Sequence, residues 1–146
     1  MTPFIKTIVG QGCPTIEINN NFSDIAKALT KAPSGTLIVV DGFKKVVGML
    51  SERDVVRHLS LEKSIEECTT QNLMTTTVIS ANQDVTSSGL MELMVKNKIR
   101  HVPIIDENKL LGLVSITDVI KRLLDKQLQE TELMKEFINK IISMSK

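Results

Sequence analysis

The stretch GMLSERDVV, Gly48 to Val56, recurs as GLVSITDVI, Gly112 to Ile120. Both copies read Gly, two apolar residues, Ser, two variable residues, Asp and two apolar residues, 64 positions apart (112 − 48). A Ser with an acid three residues on is a capping-box signature, in which hydroxyl and carboxylate satisfy N–H groups that the first helical turn leaves unpaired. Each copy therefore reads as a strand running into a capped helix. Capping alone can account for Ser51, Asp54, Ser115 and Asp118. The context offers a second use, because a helix N-terminus favours a phosphate and a carboxylate accepts hydrogen bonds from sugar hydroxyls.

Outward from these copies the two halves share one organisation. In the first, PTIEI (Pro14 to Ile18) reads as a strand, FSDIAKALTKA as a helix that Ser23 can cap, LIVVD and VVGMLS as strands around the turn GFKK, and ERDVVRHLS as a helix. In the second, TVIS (Thr77 to Ser80), the helical DVTSSGLMELMVKNK, HVPIID, the turn ENK, LLGLVS and ITDVIKRLL repeat that order. The continuously apolar LIVV and VPII predict strands covered on both faces, which two such small units achieve by packing together. The expected organisation is a first unit over residues 1–60, a connector over 61–76, a second unit over 77–128 and a terminal helix over 129–146, all one cooperative module.

Composition excludes several classes. With 42% hydrophobic and 24% charged residues, the 146-residue chain can bury a sizeable core. A net charge of +1, 3% aromatics and no Trp or Tyr argue against nucleic-acid binding. No apolar run reaches the roughly 20 residues of a membrane span, and the N-terminus lacks a signal peptide's pattern, so a cytoplasmic protein is expected. Cys13 and Cys68 have neither metal-ligand spacing nor His neighbours and read as packing residues. His58 reads as a surface residue. No nucleophile with a base, paired acids or metal constellation points to an enzyme.

The pattern LIVVDGFKKVVGMLSERDVV, repeated as HVPIIDENKLLGLVSITDVI, resembles tandem cystathionine beta-synthase (CBS) motifs, the Bateman module, over roughly residues 14–124. The resemblance implies an α+β fold in which two motifs, each strand-helix-strand-strand-helix, pack through their sheets and leave two clefts for adenosyl ligands. It implies that Asp54 and Asp118 hold ribose hydroxyls, with Ser51, Ser115 and Thr117 near ribose or phosphate. The cleft of Asp54 would also draw on Thr77, Val78 and Ile79 beside adenine and on Arg100 and His101 toward phosphates; Arg53 can add a cation there or lie on the solvent face of its helix. Thr15 and Ile16 would wall the adenine in the cleft of Asp118. No cofactor is required; an adenine nucleotide (AMP, ADP or ATP) would be an effector.

The halves differ where phosphates would lie. Arg100 and His101 stand six and five residues before Asp106, while Gly35 and Thr36 hold those positions before Asp41. Only the Asp54 cleft is then expected to carry a basic pair, with His101 able to join as a cation below neutrality, near its reference pKa of about 6.5. The first repeat's shorter spacing, Asp24 to Asp41 against Asp84 to Asp106, predicts a shorter first helix. After Asp125, Met134, Phe137, Ile138, Ile141 and Ile142 form an apolar stripe at helical spacing. That stripe can lie on its own module or meet a second copy, and a homodimer is expected. The functional expectation is a regulatory module that senses an adenosyl ligand and acts on a separate protein, against the alternative of a constitutive dimerisation scaffold with vestigial clefts.

Overall fold

The computed structural model describes residues 1–144; the last two residues of the expected terminal helix lie outside them. The first half comprises β1 (Thr15–Glu17), α2 (Phe22–Lys31), β2 (Thr36–Val40), β3 (Val46–Ser51) and α3 (Glu52–Ser60), preceded by α1 (Pro3–Val9). A connector holds a 3-10 turn (Ile65–Glu67) and α4 (Thr70–Leu73). The second half comprises α5 (Ser87–Asn97), β4 (His101–Asp106), β5 (Lys109–Ser115) and α6 (Ile116–Met144). The architecture is α+β with a duplicated core.

In the first sheet β2 is central, parallel to β1 and antiparallel to β3. All five β2 residues are buried, as its unbroken apolar run requires. The second sheet has only β4 and β5, antiparallel, with His101 opposite Ser115 as Thr36 is opposite Ser51. The strand expected over Thr77–Ser80 is absent; a single parallel bridge joins Ala81 to Ile104. Pro103 explains this. In the first sheet Ile38 donates its N–H to the carbonyl of Pro14 at 3.0 Å, and in the second Pro103 holds the corresponding place and has no N–H to offer. Only the bonds on either side of Ala81 form, Ala81 N–H to Pro103 O at 3.1 Å and Ile105 N–H to Ala81 O at 2.9 Å.

Most of the buried apolar residues fall in two clusters. One contains Ile16, Ile25, Leu37, Val39 and Leu50 of the first half with Cys68 and Leu73 of the connector. The other contains Leu90, Met94, Val102, Val114 and Val119 of the second half with Phe4, Ile5 and Ile8 of α1. The short helix that opens the chain thus serves the far half, and α4, between the halves, serves the near one. The two repeated glycines receive these segments. A Cβ on Gly48 would stand 2.8 Å from the Thr75 carbonyl oxygen, and one on Gly112 would stand 3.1 Å from Cγ2 of Ile8. The helix at Pro3–Val9 is not among the expected elements, although Thr2 accepts from the Ile5 N–H and Pro3 opens the first turn.

Three smaller expectations change. Asn21, not Ser23, caps α2, in a reciprocal box with Asp24. α2 and α5 differ by one residue, 10 against 11, so the first helix is hardly shorter; Asp24 lies inside its helix, whereas Asp84 precedes α5. His58 is buried, its Nε2 3.1 Å from the carbonyl of Ser64 in the connector. Cys68 is fully buried, as a packing residue should be.

Candidate functional site: two unequal clefts

Both Ser-x-x-Asp copies form their caps. The N–H and Oγ of Ser51 donate to Oδ2 of Asp54 at 2.8 and 3.1 Å. Those of Ser115 donate to Oδ2 of Asp118 at 3.0 and 2.8 Å, and Ser115 Oγ accepts from the Asp118 N–H at 3.2 Å. In each pair one carboxylate oxygen is committed to the cap. The second oxygen separates the copies. Oδ1 of Asp54 lies 3.5 Å from the largely exposed Arg57, a weak surface ion pair, whereas Oδ1 of Asp118 has no hydrogen-bond or ion-pair partner among the described residues.

Each aspartate opens on a cavity between the halves. The Asp54 cavity encloses about 250 Å³ and is lined from the first half by Thr36, Leu50, Ser51 and Asp54 and from the second by Thr77, Ile79, Arg100 and His101. The Asp118 cavity encloses about 1490 Å³ and is lined by Thr15, Ile16, Ser115, Thr117 and Asp118, again with Arg100 and His101. Small-molecule sites usually run from roughly 300 to 1,000 Å³; the larger cleft exceeds that range and the smaller falls just below it.

The expected asymmetry of charge is corrected here. Arg100 and His101 border both cavities and do not belong to the Asp54 side alone. The larger cleft carries three further cations, Lys27 and Lys31 on α2 and Lys121 on the first turns of α6, alongside the acids Glu17 and Asp24. Lys27 and Lys31 are one helical turn apart and so share a face, a signal visible in the sequence; that the face looks across at α6 is not. Thr36, expected with Gly35 at the Asp118 cleft, lines the Asp54 cavity instead, while Gly35, Val78 and Arg53 line neither. A Cβ on Gly35 would meet the Glu52 carboxylate at about 3 Å, and its φ is +66°, so this position serves backbone geometry.

Burial pushes the His101 imidazole below its ordinary value, Asp118 opposes that, and the neighbouring Arg100 adds to it. The protonated form of His101 is therefore disfavoured relative to a free imidazole, which works against its expected role as a cation below neutrality. Cys13, in the wall of the larger cleft, is pushed up to about 11 by burial and stays a thiol. No group of three or more His, Cys, Asp or Glu among the described residues could hold a metal, and no described helix is long and apolar enough to cross a membrane.

Duplicated halves, a cap at the end of each hairpin and a cleft beside each cap define a tandem-repeat ligand-binding module. The chain belongs to the CBS domain family, whose model matches residues 5–61 and again 70–125. It is 28% identical to the CBS domain pair of protein MJ0100, crystallised with methylthioadenosine and S-adenosyl-L-methionine, with a TM-score of 0.72 over 84% of this chain and 96% of that one. It is similar to a CBS-domain protein from Agrobacterium tumefaciens at 28% identity, TM-score 0.68, over 75% and 83%. By sequence it is 34% identical over 111 residues to a 17.7 kDa protein of Acidianus ambivalens, covering 75% of this chain and 66% of that protein. It is 38% identical to an inosine-5'-monophosphate dehydrogenase of Methanocaldococcus jannaschii over 59% of this chain but 16% of the enzyme. The chain thus spans less than two thirds of these curated relatives.

Proposed function

We propose that this chain is a regulatory module, not an enzyme, that senses an adenosyl ligand in the Asp118 cleft and passes the event to a separate protein through altered packing of its halves. Oδ1 of Asp118, unengaged inside the larger cavity, carries this reading. A carboxylate oxygen already anchored through its partner oxygen is a preorganised acceptor for ribose hydroxyls. Lys27, Lys31, Lys121 and Arg100 around the same cavity suit a phosphate chain, so AMP, ADP and ATP are the preferred effectors over uncharged adenosyl compounds. The adenosyl ligands named for the MJ0100 domain pair support the nucleoside part of this reading. We assign the chain to the cytoplasm as a homodimer, where its two free cysteines stay reduced.

A thermal-shift panel of AMP, ADP, ATP, S-adenosylmethionine and adenosine on the parent chain tests it, because a ligand that binds only the folded form raises the melting temperature. A nucleotide shift that Asp118→Asn removes is the expected result. No shift with any of them at millimolar concentration would leave a constitutive dimerisation scaffold, the second reading, which the exposed apolar residues of α6 favour.

A further inference from the structure

α6 runs unbroken for 29 residues from the second Ser-x-x-Asp cap. Its first two turns dock on the second core through Ile116, Val119 and Leu123. From Leu124 to Met144 every residue is exposed, so the apolar stripe does not lie on its own module. Leu128, Met134, Phe137, Ile138 and Ile141 are each about half exposed or more, along roughly 30 Å of helix. Such a stripe needs a cover.

We propose that this cover is the same helix of a second copy, in a parallel, in-register two-stranded coiled coil. With Leu124 at heptad position a, positions a carry Leu124, Thr131 and Ile138, and positions d carry Gln127, Met134 and Ile141. The flanking residues decide the direction. A parallel coil sets each g residue against the e residue five positions on in its partner. The resulting pairs are Leu123 with Leu128, Glu130 with Lys135, and Phe137 with Ile142: apolar with apolar, acid with base, apolar with apolar, each formed twice about the axis. An antiparallel coil sets g against g and e against e. Positions g then offer Leu123, Glu130 and Phe137 and positions e offer Lys121, Leu128, Lys135 and Ile142, so no acid ever meets a base. Within one chain Lys135 reaches only Glu132, at 3.5 Å between two exposed side chains, a contact weak enough to yield. The thirteen-residue interval from Asp118 to Thr131 lies on one continuous helix, so the coil joins the two Asp118 clefts of a dimer by rigid rods.

This interface rests on the self-association part of the proposed function and not on the ligand. Sedimentation of the full chain should give a dimer. Lys135→Glu alone, or Glu130→Lys alone, should weaken it about fivefold or more by turning two attractive pairs repulsive, and the double exchange should restore it. In a Cys13→Ser background, Met134→Cys at a d layer should cross-link on oxidation and Leu133→Cys, on the outer face, should not. A dimer indifferent to all three charge variants, with no preference for the cross-link at 134, overturns the coil while leaving the homodimer. A monomer at about 100 μM overturns both, and neither result touches the thermal-shift readout of the ligand.

Discussion

The two clefts carry the same cap and differ in what happens to one oxygen atom. Beside β3 an arginine one turn along α3 lies 3.5 Å from Oδ1 of Asp54, and the cavity is small. Beside β5 the position one turn on from Asp118 is Lys121, which forms no ion pair with it and faces a cavity six times larger (1490/250 ≈ 6). Duplication copies a cap because a cap is local; it does not copy a site, because a site is made by what the opposite half presents. The pair teaches that one Ser-x-x-Asp signature sets the same local cap beside two cavities of very different size and lining.

The largest test of this contrast exchanges the two acids. Asp118→Asn should lower AMP affinity roughly 10-fold to 150-fold, the ~1.5 to 3 kcal/mol typical of a lost charged hydrogen bond. Asp54→Asn should leave affinity within about threefold by the same reasoning on calorimetry. The reverse order would break the comparison by making the smaller cleft the main site.

A second test compares the glycines. Gly48→Ala drives a methyl against a backbone oxygen and should cost about 2 kcal/mol or more in urea denaturation, whereas Gly112→Ala meets a movable side chain and should cost about 1 kcal/mol or less. Equal costs would mean that α1 is held as stiffly as the connector.

Smaller still, Lys121→Ala should weaken AMP binding about threefold to tenfold and leave adenosine unchanged. An equal loss for both would mean that Lys121 supports the fold of the cleft and not a phosphate. The smallest effect is on pH. Because the folded imidazole of His101 titrates below its unfolded value near 6.5, the unfolded chain binds the proton first as pH falls. This contribution to stability is constant above about pH 7 and declines below about 6.5. His101→Asn should flatten that part of the stability profile; an unchanged profile would assign the acid sensitivity to other groups.

Much of the fold was legible because its signals are local. The two Ser-x-x-Asp caps, the apolar runs of β2 and β4 and the turn between β4 and β5 all stand where periodicity and capping set them. What escaped depended on partners distant in the chain. α1 is seven residues long and too short to declare itself by periodicity; its burial comes from residues more than eighty positions away, such as Leu90 and Val102. His58 looked like a surface residue because its acceptor, Ser64 O, lies in a connector with no regular pattern. The ladder that stops at Ala81 turns on Pro103, which was in plain view inside an otherwise convincing strand. The lysines of α2 were visible as a face but not as the wall of a cleft.

The crossing of α1 to the far half also sets an order of events. As the chain emerges from the ribosome, the first half and α4 supply everything that the first core needs by about Thr75. Phe4, Ile5 and Ile8 precede that core in the chain yet have no docking surface until β5 and the opening turns of α6 exist, some 110 residues later. Closing a loop of that length comes late and slowly in folding. α1 is therefore the last piece of the second core to lock, although it lies before the first core in the chain.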